Sequence, residues 1–468
     1  MKRLAPLASS LVFGLTLTAC AQTGTNAGSA AGIYASDIQP IFTAKCASCH
    51  AGDRTDAGLD LSSWDGLVKG SDNGEAIIAY DAANSVLVKM ATRLVGGAHP
   101  GEAGSPTLSE AELTTITDWI NGGAIGPDGN APFSGNRDFI YVTNQGEGTV
   151  NVIDTEANVV ARRVDLTKLG FDKGSKPHHV AVESDGSYWY VTLISAGRVL
   201  KFTQDSELVG SVEFEVPGLL EMDPTSSRMI VGRSMAAVNP PQRIGLFDRD
   251  SMEMEEELEV FMPRPHAVTW SRDGSHVYAA SLAENVLISI DLETGDSQLH
   301  DVEGPIHTLV ELQTTPDGKT MVSGGQLTGK FFFFDATDKD GVPVKKVIDV
   351  EAAPWHPIFN EAGTRAYLAN KMADKVTIIN METMEVETVI EGNGLAQPHG
   401  AALSSDERYL YVSNQNQNMV YSARHLYGDS QHDQHPGTVT VIDLETNQIV
   451  KVLEVGLLPA GTGGRPTW

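Results

Sequence analysis

GTVNVID, residues 148–154, returns as GTVTVID at 437–443. Between them the same kind of run recurs as GRVLKF (197–202), RIGLFD (243–248), NVLISID (285–291), KFFFFD (330–335) and KVTIIN (375–380). Most are preceded by a partner run: FIYVTN (139–144), YWYVTL (188–193), HVYAAS (276–281), RAYLAN (365–370) or YLYVSN (409–414). These runs are short, rich in β-branched and aromatic residues, and end in Asp or Asn turn signals, so they read as strands. Seven such units, at a period of about 40–50 residues with room for about four strands each, predict a mainly β chain built as a seven-bladed propeller over 137–468.

The inner strand of each blade is expected to start near His178, Pro217, Pro265, Pro305, Pro354, Pro398 and Pro459. Strands 139–166 open the array and 459–466 ends it unaccompanied. The chain end should therefore supply the inner strand of the first blade, closing the ring and removing its exposed edges.

Five of the seven starts carry histidine, and one carries two: His178, His179, His266, His307, His356 and His399. Gly218 and Ala460 stand at the other two starts. Equivalent inner-strand positions face one axis, so these imidazoles are expected to converge. Each alone would pass for a structural histidine copied by duplication, but the residues around them vary while the histidine stays. Several imidazoles in a narrow channel need a shared partner, and neutral imidazole is a ligand for copper, zinc, iron and nickel. Six nitrogens exceed what one tetrahedral zinc takes, so a polynuclear copper site is the expectation.

The Tyr-Val-Thr-Asn strands resemble YVTN propellers, which are similar to lactonase-type propellers. HHVAVESDG (178–186), Pro265-His266, Gly304-Pro305-Ile306-His307 and Gln397-Pro398-His399-Gly400 resemble the histidine motifs of nitrous oxide reductase. That resemblance implies copper ligation by the six histidines. It also implies a role for Lys371 beside the cluster, polarising substrate oxygen or supplying a proton; otherwise Lys371 is a solvated loop lysine. The family uses seven histidines and a C-terminal cupredoxin domain, both departures here. His425, His432 and His435 lie in a polar stretch, SARHLYGDSQHDQHPG, read either as a solvated loop or as a cover or transit site for metal. His276 and His300 read as structural.

The other chemistry lies near the start. Cys46-Ala-Ser-Cys49-His50 is the c-type haem attachment motif, with His50 as proximal ligand. The closing helix SEAELTTITDWIN (109–121) has Ser109 as cap and Glu112 completing a capping box, and Ser36 is expected to cap the helix leading into the motif. His99-Pro100 stands where small cytochromes place Met-Pro, so His99 is expected as sixth ligand, with Met90 the alternative. Residues 33–128 thus resemble a small all-α cytochrome c domain holding one covalent haem.

Lys2 and Arg3, an apolar run and Leu17-Thr-Ala-Cys20 predict a lipoprotein signal peptide over 1–19, with acylation at Cys20 and a flexible tether over 20–32. Ala21 favours the periplasmic side of the outer membrane over the inner membrane. The only cysteines are Cys20, Cys46 and Cys49, so no thiol remains for a disulfide or a cupredoxin-type copper site. A net charge of -28 argues against nucleic acid. The chain therefore reads as a lipid-anchored, periplasmic, copper-dependent reductase. A periplasmic or quinol-linked donor would feed it, and it would act on a small uncharged substrate such as nitrous oxide. The alternatives are a haem d1-type nitrite reductase and a non-enzymatic electron-transfer or copper-binding lipoprotein. A dimer is compatible with the sequence.

Overall fold

The computed structural model describes residues 34–95, 99, 106–234, 242–422 and 435–466. The expected signal peptide, acylated Cys20 and tether, together with His425 and His432, lie outside the described residues.

Seven four-stranded antiparallel sheets form the blades. Six of the seven third strands end on Asp or Asn, whose side chain accepts hydrogen bonds from the backbone of the next turn, and the remaining one ends on Thr203. Asp291 accepts from Glu293 and Thr294, Asn380 from Glu382 and Thr383, and Asp443 from Glu445 and Thr446. This local bonding makes the repeated turn and fixes where the outermost strand begins. Burial falls from axis to rim. The second strand His276–Ser281 is buried throughout, whereas the outer strand Leu208–Glu213 alternates. The core lies mostly between neighbouring blades: Trp189 stacks on Tyr141 of the preceding blade and on Phe202 of its own, at 4.8 and 4.2 Å between centroids.

Pro459–Gly463 pairs with Phe139–Asn144, with Asn144 opposite Pro459 and Tyr141 opposite Gly463, so the chain end completes the first blade. One expected start is corrected. The fourth inner strand in chain order begins at Leu309, not Pro305: Leu309 pairs with Gly325 as Pro265 pairs with Ser281 and Pro354 with Asn370.

The preceding segment carries helices Gln39–Lys45, Ala47–His50, Trp64–Lys69, Val86–Val95 and Glu110–Asn121 around a core of its own that includes Phe42, Leu67 and Trp119. Ser109 and Glu112 form the expected capping box. Ser36 is not a cap; it lies in a wide turn, Tyr34–Ile38, and its hydroxyl donates to Asp37. This segment sits against the outer strands of the first and last blades. Ile78 joins the core formed with Val160 and Leu453, Val160 N–H donates to Glu75, and Arg163 lies 3.5 Å from Asp81. Among the described residues, no helix is long and apolar enough to cross a membrane.

Candidate metal centre and haem site

The start of the inner strand carries a register shift in all seven blades, as between Pro177 and Val180, Leu309 and Leu312, and Pro398 and Ala401. Such a bulge bends the strand and re-aims side chains. Two layers result. One position after the strand start stand His178, Gly218, His266, Val310, Trp355, His399 and Ala460; two positions after it stand His179, Leu219, Ala267, Glu311, His356, Gly400 and Gly461. The histidines therefore occupy two adjacent layers rather than a single ring.

Five of them converge. Centroid separations are 5.8 Å for His266–His178, 6.1 Å for His178–His399, 5.0 Å for His399–His356 and 6.1 Å for His356–His179. Two imidazoles on one tetrahedral ion have centroids about 5 Å apart, since each nitrogen lies about 2 Å from the metal. Neighbours orient the rings. His266 Nδ1 bonds the Val310 carbonyl at 2.8 Å and His178 Nδ1 bonds Gln145 at 2.7 Å. His356 Nδ1 donates to Glu311, and His179 Nδ1 accepts from Leu220 N–H at 3.3 Å. Nε2 of His178, His266 and His356, and Nδ1 of His399, are buried without a hydrogen-bond partner among the described residues. His356 also has φ of 39°, a left-handed conformation that a non-glycine residue rarely adopts.

Burial is the main cause that keeps these rings neutral. It lowers His179 and His266 to about 4 and takes His178 and His399 well below the usual histidine value. Neutral imidazole is the metal-ligating form. Burial pushes the Glu311 carboxyl up, but attraction from His356, their hydrogen bond and His179 outweigh it and hold it below the usual value.

His307 does not join the group. It precedes the strand, bonds Thr328 through Nδ1 and the Glu303 carbonyl through Nε2, each at 2.9 Å, and packs on Phe332. Both nitrogens are used, so its expected place as a metal ligand is withdrawn. Glu311 stands in that blade instead, so the layer contains a carboxylate beside the histidines. The signal was present in the turns: Gly186, Gly274, Gly318 and Gly363 each follow their strand start by nine residues, which puts the fourth start at Leu309. Lys371 stands one ring away from the histidines. Its Nζ lies 4.4 Å from the Trp355 centroid, and Trp355 packs on His399 at 4.3 Å. Burial lowers Lys371 to about 8. His435 is exposed, and His276 and His300 lie on second and outer strands away from the axis.

A cavity of about 670 Å³ runs from the layer of His179, Glu311 and His356 to the far ends of the inner strands. Glu221, Arg272 and Arg249 are among its lining residues.

In the N-terminal segment, Cys46, Cys49 and His50 lie at the junction of two short helices. The His50 and His99 rings are near-parallel, 12° between planes, with centroids 6.5 Å apart. Two axial imidazoles on one iron would be separated by about 6 Å on the same bond-length arithmetic. His50 Nδ1 is buried without a partner among the described residues. These residues therefore fit a haem held between them. Met90 is half-buried on the helix Val86–Val95.

The fold and site together define a cytochrome c-like domain fused to a seven-bladed propeller. Residues 46–96 match the family described as Planctomycete cytochrome C, which supports haem c at the CxxCH motif, and residues 309–431 match the family described as Lactonase, 7-bladed beta-propeller. No curated protein sequence matches the chain. Among solved structures, a functionally unknown protein from Desulfotomaculum acetoxidans is similar at TM-score 0.55 and 12% identity, over 70% of this chain and 98% of that one. Kuenenia stuttgartiensis hydrazine synthase is similar at TM-score 0.50 and 17% identity, over 62% and 90%. These likenesses show the fold.

Proposed function

We propose that the chain is a reductase in which a c-type haem, bound through Cys46 and Cys49 with His50 and His99 as axial ligands, passes electrons to a metal centre. His178, His179, His266, His356 and His399 would hold that metal. The observation that carries the reading is the set of four buried, unpartnered ring nitrogens on one group of packed histidines. Each such nitrogen costs roughly 1–3 kcal/mol, and a shared cation removes that cost.

The finer reading is copper, more than one ion, and nitrous oxide reduced by two electrons and two protons to dinitrogen and water. When bound, the metal supplies a site for substrate and stabilises charge developing on oxygen. The chain's residues do the rest. Gln145, the Val310 carbonyl and Glu311 fix the orientation of His178, His266 and His356. Trp355 walls off His399 and places the Lys371 ammonium beside the site. Copper-loaded protein with reduced haem should reoxidise under nitrous oxide and release dinitrogen. A haem that stays reduced rules out this substrate.

One observation favours a second reading, a haem d1-type nitrite reductase: Arg249, Arg272 and Arg465 line the cavity, cations of the kind a macrocycle's carboxylates need. An optical spectrum with a second, non-c haem would establish it. A metal centre without turnover would instead make the chain an electron-transfer or copper-holding protein. Anchoring through Cys20 at the periplasmic side of the outer membrane is part of the proposal.

A further inference from the structure

Resting on that reading, we infer that Glu221 is the proton-donating group of the centre, set in the cavity between the histidine layers and solvent. Electrons arriving through a haem bring no protons, so a reductase of this design needs a separate proton source on the axis.

Glu221 lies on the inner strand Pro217–Met222, four positions after its start, whereas Glu311 lies two positions after its own. It therefore stands about 7 Å farther toward the open end, at a strand rise of about 3.3 Å per residue. Thr269 of the next blade hydrogen-bonds its carboxyl, and Trp270 Nε1 donates to its backbone carbonyl at 3.1 Å. Oε2 is buried without a partner and belongs to the cavity wall. The charged groups facing it are Arg272 from the turn of the next blade and Glu311 from the blade beyond. Nearer the mouth lie Asp223 and the Arg249–Glu183 pair, 2.8 Å apart. Burial is the largest influence on Glu221 and raises it to about 8, so it holds its proton at neutral pH.

In the reduction, an O–H bond forming on the departing substrate oxygen takes its hydrogen from Glu221 through cavity water. The Glu221 O–H bond breaks, and the carboxylate left behind is reprotonated from solvent at the mouth. The N–O bond breaks and the oxygen leaves as water after two such transfers, with Glu221 reprotonated between them; the two electrons come singly through the haem from a one-electron donor, so charge and atoms balance. Glu311 is committed to His356, whose Nδ1 proton it accepts.

The test uses the metal-loaded full chain and Glu221→Gln, which keeps volume and the capacity to bond Thr269 but cannot ionise. Turnover should fall tenfold or more, and the step in its pH profile near neutrality should vanish. Metal content and the rate of haem reduction should not change, and Glu221→Asp should restore part of the rate. A wild-type minus Glu221→Gln infrared difference spectrum at pH 7, in which Glu75 cancels, should show a protonated-carboxyl band that shifts on haem reduction. Wild-type turnover with an unchanged profile in Glu221→Gln overturns the inference, as does a difference spectrum without that band. A metal-loaded wild type that never turns over refutes the reductase reading itself, and the infrared comparison then decides the proton site alone.

Discussion

Glu311 accepts the Nδ1 proton of His356, and Nε2 of the same ring is left facing the site without a partner. Carboxylates that hold a ligating histidine in this tautomer raise its basicity, and their loss typically costs 10–100-fold in metal affinity. Glu311→Ala should weaken metal binding by about that factor in a competition titration, and Glu311→Gln by less. His307→Ala is the control. It should leave metal affinity unchanged while costing roughly 1–3 kcal/mol in denaturant unfolding, because Thr328 and Glu303 lose their partner.

The His50 and His99 rings face each other at 6.5 Å. The purified chain should show the low-spin spectrum of a bis-imidazole haem. His99→Ala should convert it to high spin, and His99→Met should raise the midpoint potential. Met90→Ala should leave the spectrum unchanged. A spectrum altered in Met90→Ala and unaltered in His99→Ala would reverse the assignment.

Gly461 lies where the ring-closing strand presses on the second blade; a Cβ there would come within 2.2 Å of the His178 carbonyl oxygen. Gly461→Ala must push two strands apart at the point where His178 and His179 leave the backbone. Overpacking of this kind costs roughly 1–3 kcal/mol. The variant should show that loss in thermal unfolding, together with reduced metal content, because the ligand layers share the displaced strand.

Much of this architecture was readable in the chain. The seven strand runs, their turn residues and the unaccompanied 459–466 segment led to the ring, because each strand is a short run of β-branched and aromatic residues and most turns are made by their own Asp or Asn. The site was readable only in part. Pro305-Ile306-His307 imitates Pro265-His266 in letters but precedes its strand, and the register is set by pairing to Gly325, which no dipeptide encodes. For the same reason Glu311 was missed, and so was the split of the histidines into two layers, which depends on the bulge at each strand start. Glu221 carries no motif at all. Its burial comes from blades that are distant in sequence.

Glu75 is buried where the N-terminal segment meets the propeller, and accepts from Val160 N–H at 3.4 Å. Burial is the main cause that raises its carboxyl from 4.5 to about 7. A raised carboxyl costs nothing below its unfolded value; the penalty grows as pH rises towards its folded value and is constant above that. Stability should therefore decline between about pH 4.5 and 7, by roughly 3 kcal/mol at most. Glu75→Gln should flatten that part of the melting-temperature profile and stabilise the chain at pH 8. An unchanged slope in Glu75→Gln would show that other groups set it.

The central claim is that five packed histidines on the propeller axis hold a redox metal fed by one haem. Metal analysis tests it most directly, on the full chain purified without oxygen from a host that exports proteins and attaches haem c. The account predicts several copper ions per haem, lost from a His178→Ala/His356→Ala variant that keeps its haem and its fold. Zinc alone, or no metal with all five histidines intact, would contradict it.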